Sequence, residues 1–170
     1  MRPSFHRAVL IALLALSPAL PSLAADGAAA PAAPAAPTVS REEALAAWQR
    51  FKAAPTERLD DATVFLQYMQ GGAVHTVLNS NLVFWMYNDY PREAQAVLYA
   101  AYMGGNLESQ LVTRKEGDDP QAAISAALDA YIVLKARDEA LTIKRLDDML
   151  VARTEGRLAE AVADLAQGKP

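Results

Sequence analysis

Apolar residues return every three or four positions along most of residues 40–167, the spacing of amphipathic helices. Ser40-Arg41-Glu42-Glu43 reads as a capping box, in which the serine side chain accepts from the Glu43 amide and the glutamate reaches back. It predicts a helix that presents Leu45, Trp48 and Phe51 on one face and is closed by Pro55. Leu59, Ala62, Phe65, Leu66 and Met69 write a second helix, with Gly71-Gly72 as a left-handed stop. The short connection between the two predicts an antiparallel hairpin.

Residues 73–89 fit a helix less cleanly. At about 100° per residue, Val74, Val77, Leu78, Leu82, Phe84, Trp85 and Met86 fall on one broad arc, and His75, Thr76, Asn79 and Ser80 on the other. Asn81 and Asn88 land inside the apolar arc, while Val83 and Tyr87 land on the polar one. A strand over residues 82–87 is the alternative, because LVFWMY is an unbroken apolar run of high strand propensity. The helix is the reading preferred.

Asp89 and Pro91 then start a helix whose inward side is Val97, Leu98, Ala101 and Tyr102. Gly104-Gly105 either ends it or lets a neighbour approach closely. A short helical piece over residues 107–112 leads into the polar loop TRKEGDDP. Asp118 or Asp119, with Pro120, opens a helix carrying Ile124, Ala127, Leu128, Tyr131 and Leu134 inward. A final helix over residues 138–167 has Gly156 as its weak point. The fold class expected is all-α, a single domain built as an irregular bundle or as stacked helical hairpins of about six helices. The similar helix starts REEALAAW, PREAQAVL and DPQAAISAAL are too unevenly spaced for a solenoid repeat.

The chain ahead of this body changes the picture of where it works. Residues 1–24 read as a cleaved secretory signal: Arg2 and Arg7 precede the apolar run AVLIALLAL, and Ser22-Leu23-Ala24 is a small-x-small cleavage site. The run breaks at Ser17-Pro18, short of the roughly 18 apolar residues that a membrane span needs. A periplasmic or secreted location follows, with no integral membrane segment after cleavage. In residues 25–39, Pro31, Pro34 and Pro37 recur with the period of polyproline II. That arm is read as a semi-rigid spacer, or else as a docking segment for a proline-reading groove.

Composition removes several chemistries. The absence of cysteine excludes disulfides, thiolate catalysis and thiolate zinc sites. The formal charge is −4; without Arg2 and Arg7 it is 14 Lys+Arg against 20 Asp+Glu, or −6, which is poorly suited to nucleic acid. His75 is the one histidine after the signal and lies in no metal-binding motif, so neither metal nor cofactor is expected. The paired acids Asp60-Asp61, Asp118-Asp119 and Asp147-Asp148 read as helix starts and surface ion pairs, leaving no catalytic residue assigned. Glu108-Ser109 resembles the Glu-Ser pair of lytic transglycosylases, which implies a wall-cleaving hydrolase with Glu108 as working carboxylate. The downstream Gly-Leu-Met-Gln stretch of that family is missing.

Six of the twelve aromatic residues lie between Phe84 and Tyr102. Trp85 is expected in the core, and Tyr99 and Tyr102 are expected to cover it with their hydroxyls wet. Val83, Tyr87 and Tyr90, with Arg92, form a candidate binding patch if the second face of the helix over residues 73–89 is open to solvent, and are core if that helix is central and buried on both faces. Asn81 and Asn88 are candidate ligand contacts, since a buried amide must be hydrogen-bonded. The expectation is an exported, non-enzymatic binding or protein-interaction module, whose partner is a protein or a small apolar ligand of the cell envelope. The alternatives are the lysozyme-like hydrolase and a carrier or chaperone enclosing an apolar ligand near Asn81, Trp85 and Asn88.

Overall fold

A computed structural model describes residues 39–169. The predicted signal segment, and the Ala-Pro arm except for Val39, lie outside the described residues. The rest folds as six α-helices around one core, with no β-strand among the described residues. No helix among them is long and apolar enough to cross a membrane.

Helix α1 (Arg41–Ala53) opens with the capping box as expected: Glu43 N–H donates to Ser40 Oγ at 3.2 Å, and Ser40 N–H donates to Glu43 Oε2 at 2.8 Å. Its inward rings Trp48 and Phe51 meet Phe65 of α2 (Leu59–Tyr68), with ring centroids 5.6–5.8 Å apart. Burying side chains of this size contributes about 1.5–3 kcal/mol each. Helix α2 runs into a wide turn over Met69–Ala73 and stops at Gly72, whose φ of 79° is the left-handed conformation expected there.

The α-helix expected over residues 73–89 does not form. Residues 75–79 run on from the extended Val74 without helix, turn or bend, and only Phe84–Tyr87 make a short 3-10 turn, so the alternative strand over residues 82–87 is absent too. The asparagines supply the reason, because short amide side chains compete with the helical ladder for the backbone. Asn79 Oδ1 accepts from the Asn81 amide at 2.9 Å, and the Asn79 carbonyl accepts from the amides of both Leu82 and Val83. Asn88 Nδ2 donates to the Phe84 carbonyl at 2.6 Å. Residues 74–91 thus form a strap rather than a helix.

Helix α3 (Arg92–Leu111) passes uninterrupted through Gly104-Gly105 and absorbs the separate piece expected at residues 107–112. The two glycines serve close approach on two sides. A Cβ at Gly104 would lie 2.0 Å from Trp48 Cε3, and one at Gly105 would lie 2.6 Å from the Ala122 carbonyl oxygen. Helix α3 therefore presses against α1 through one glycine and against α4 (Pro120–Arg137) through the next. Asp119 caps α4, its Oδ1 accepting from the Ala122 amide at 3.2 Å.

The single final helix is two. Helix α5 (Lys144–Thr154) starts six residues later than expected, after a loop in which the buried Ile143 amide donates to the Tyr131 hydroxyl at 2.8 Å. It ends at Gly156, φ 74°, with the Arg157 amide donating to Ala152 O and the Gly156 amide to Arg153 O. That bonding pattern is a Schellman stop, and it frees α6 (Leu158–Ala166) to turn its own apolar stripe inward.

Candidate functional site

The strap is held from below by three side chains of α3 and its following loop. Gln110 Oε1 accepts from the His75 amide at 2.9 Å, and Gln110 Nε2 donates to the His75 carbonyl at 2.5 Å, so one side-chain amide pairs with both backbone groups of one residue. Asn106 is fully buried. Its Nδ2 lies 2.9–3.2 Å from His75 O, Thr76 Oγ1 and Asp118 Oδ1, and its Oδ1 accepts from the Asp119 amide at 2.8 Å and from Gln110 Nε2 at 3.1 Å. Asp118 Oδ1 also accepts from the Val77 amide at 3.2 Å.

Burial pushes the Asp118 carboxyl above its ordinary value, against the opposing hydrogen bonds from Val77 and Asn106. Its neighbour Asp119 goes the other way. Burial would raise it, but the Ser109 hydroxyl at 2.5 Å, the Ala122 amide and Lys115 outweigh that and hold it below its ordinary value. The pair at residues 118–119, read from sequence as a plain helix start, is split between capping α4 and pinning the strap.

At its far end the strap is tied to α6 and to the start of α3. Asn79 Nδ2 and Asn81 Nδ2 both donate to the Ala166 carbonyl, at 3.0 and 3.3 Å. Gln95 Nε2 donates to the carbonyls of Trp85 and Asn88, at 2.9 and 2.8 Å. The amides of Asn81 and Asn88 are thereby occupied within the fold, with Asn88 itself exposed.

The other candidate residues do not gather into one patch. Val83 is buried, at 3% exposure, as are Leu82, Phe84 and Trp85, so of the two readings of Val83 the core one holds and its place in a binding patch is corrected. Tyr90 is half-buried against the core and Arg92 is exposed at the first turn of α3. Tyr87 stands out at 73% exposure, with Met86 beside it at 39%. Val77 and Leu78, expected on the inward arc, are each 53% exposed. Four of the eight large exposed apolar residues among the described residues thus belong to the strap. The tyrosine expectation also divides: Tyr99 is half-buried, but Tyr102 is fully buried and its hydroxyl, like Trp85 Nε1, has no hydrogen-bond partner among the described residues.

Glu108 lies in a groove of about 340 Å³ between α1, α3 and α4, beside Lys52, Ser109 and Asp119. It accepts from Trp48 Nε1 at 3.0 Å, Gln49 Nε2 at 3.0 Å and Lys52 Nζ at 2.9 Å. Burial would raise its pKa; these donors outweigh burial and hold it below its ordinary value. A glycosidase acid needs the opposite, a carboxyl kept protonated near neutral pH. Asp119 across the groove is lowered as well, so neither carboxyl is set up as the proton donor of a wall hydrolase. No group of His, Asp and Glu side chains among the described residues is placed to hold a metal ion.

Sequence reading missed Asn106 and Gln110, and read Asp118 only as a helix start. The one available signal was Asn106, a polar residue within the apolar run of α3. No protein-family model, curated protein or solved structure matches the chain. The class defined by fold and site is an all-α domain carrying a pinned strap that is not α-helical and exposes apolar side chains.

Proposed function

We propose that the chain is an exported interaction module without chemistry of its own, and that the strap is the surface with which it meets a protein partner of the cell envelope. The observation that carries this reading is that residues 74–91 combine rigid attachment with apolar exposure. A loop that merely connected helices would be expected to show water polar side chains and to need few internal bonds. This strap is fastened at both ends by side chains of α3, yet it offers Val77, Leu78, Met86 and Tyr87 to solvent. Pre-ordering lowers the entropy lost on association, and exposed tyrosine and methionine are residues favoured at interfaces.

A photo-crosslinking residue at position 87, in cells that produce the chain, tests this. Discrete adducts at position 87, and none from the same group at the exposed Val151 of α5, are the expected result. Equal labelling at both positions, or none at position 87, would overturn it. Export itself is checked by the mass of the product purified from the envelope, which should begin near Ala25.

A further inference from the structure

The strap's backbone carries a feature separate from its side chains. Residues 75–79 run without helix, turn or bend. The amide and carbonyl of His75 and the amide of Val77 all point to the side chains of Gln110, Asn106 and Asp118. In an extended chain the N–H and C=O of one residue share a side, and the next residue turns its pair to the other. Thr76 and Leu78 therefore direct their backbone groups away from α3, and those groups make no hydrogen bond among the described residues. The Gln110 amide does on the inner side what a neighbouring strand would do, so the segment is a lone extended run, outside any sheet, with one edge filled and one edge open.

An open edge is a template for a further strand. Here it has a mostly apolar hollow beside it, with Gln70 and Thr76 as its polar members. Leu66, Met69, Val74, Tyr99 and Met103 line a hollow of about 240 Å³ that Thr76 borders. Main-chain bonds supplying affinity and an adjacent pocket supplying choice of side chain are the two parts of strand-addition recognition.

We infer that residues 76–78 bind an extended peptide segment of a partner protein by strand addition, with one apolar side chain of that peptide seated in the hollow beside Thr76. This rests on the strap being the contact surface, and it specifies what the surface takes: a backbone in the extended conformation. The outward groups of Thr76 and Leu78 supply two donors and two acceptors. Val77 and Leu78, each half exposed, flank the joined strands.

The test uses a linear random-peptide library displayed on phage and selected on the purified chain. A selected peptide, made synthetically, should slow amide exchange at Thr76 and Leu78 by about tenfold or more, the effect of one newly made hydrogen bond of ordinary strength. Leu78→Pro removes an outward N–H that has no partner in the fold, and Val77 before it already lies in an extended stretch that tolerates a following proline. That variant should keep its helix content and melting temperature while losing peptide affinity by about tenfold or more. A semisynthetic ester in place of the Leu78 amide gives the same reading if the proline variant does not fold.

Peptides that bind without slowing exchange at Thr76 and Leu78, an ester variant that binds like the wild type, or a library that yields no binder would each overturn strand addition. Protection of the same amides that grows with protein concentration and needs no peptide would overturn it in favour of a second copy of the chain. Adducts at position 87 that persist in any of these cases would leave the contact surface standing, and their absence would remove both.

Discussion

Gln110 and His75, 35 residues apart, are joined as two strands would be: the side-chain amide of one meets both backbone groups of the other. The strap's conformation depends on that pairing. Gln110→Ala should raise the exchange rate of the His75 amide and cost about 0.5–1.5 kcal/mol, mostly as local opening. Asn106→Ala, which orphans several groups in a buried position, should cost about 1–3 kcal/mol in global unfolding. Amide exchange read residue by residue, beside chemical denaturation, separates the two. If Gln110→Ala left the His75 amide fully protected, the pairing would not be what holds the strap.

Gly104→Ala should destabilise the protein by about 1–3 kcal/mol, although alanine is the better helix former by about 1 kcal/mol. The new Cβ would meet the Trp48 ring at 2.0 Å, and that ring, 1% exposed, is packed against Phe51 and Phe65. Trp48→Leu combined with Gly104→Ala should lose less than the sum of the two single changes, a coupling that a double-mutant cycle measures.

Glu108→Gln should cost about 1–3 kcal/mol at pH 7, since it removes the charge that Trp48, Gln49 and Lys52 converge on. A carboxyl with a lowered folded-state pKa stabilises the fold above its unfolded value, and that stability is lost as pH falls through the folded one. The gap between wild type and variant should therefore narrow as pH drops below the ordinary glutamate value of 4.5. Urea unfolding across that range checks it; a gap independent of pH would show that ionisation of Glu108 contributes nothing.

Tyr102→Phe should raise stability by about 1–2 kcal/mol, because it deletes a buried hydroxyl with no partner among the described residues. Burial has already pushed that hydroxyl's pKa upward, so it stays neutral at any working pH. A loss of stability in thermal unfolding would instead mean that the hydroxyl is bonded in solution, and would favour a small guest beside Trp85.

Much of the fold was legible because it is written in local spacing. The capping box at Ser40, the stop at Gly72, a cap at residues 118–119, the inward Trp48 and Phe51 of α1 and the inward stripes of α2, α3 and α4 all depend on residues within a turn or two of one another, whereas Leu45, expected inward on α1, is only half-buried and Ala44 and Ala47 take its place. Gly156 was legible as a weak point, and only the Schellman bonding made it the end of α5. The candidate site was harder to read. Tyr87 is exposed as the sequence suggested, yet Val83, four residues earlier, is buried, because the period assumed for residues 73–89 was that of a helix that does not form.

The sequence by itself determined an all-α body, its helix starts, and a lack of thiol chemistry. Tertiary structure decided everything that needed partners distant along the chain: whether Gly104-Gly105 ended a helix or admitted two neighbours, which carboxyl of residues 118–119 capped and which pinned, and that residues 74–91 became a strap. The reason is physical. Helical spacing repeats within a few residues and is visible in any window of the chain, whereas a backbone group bonded to a side chain 31 to 41 residues away leaves no periodic trace in the sequence.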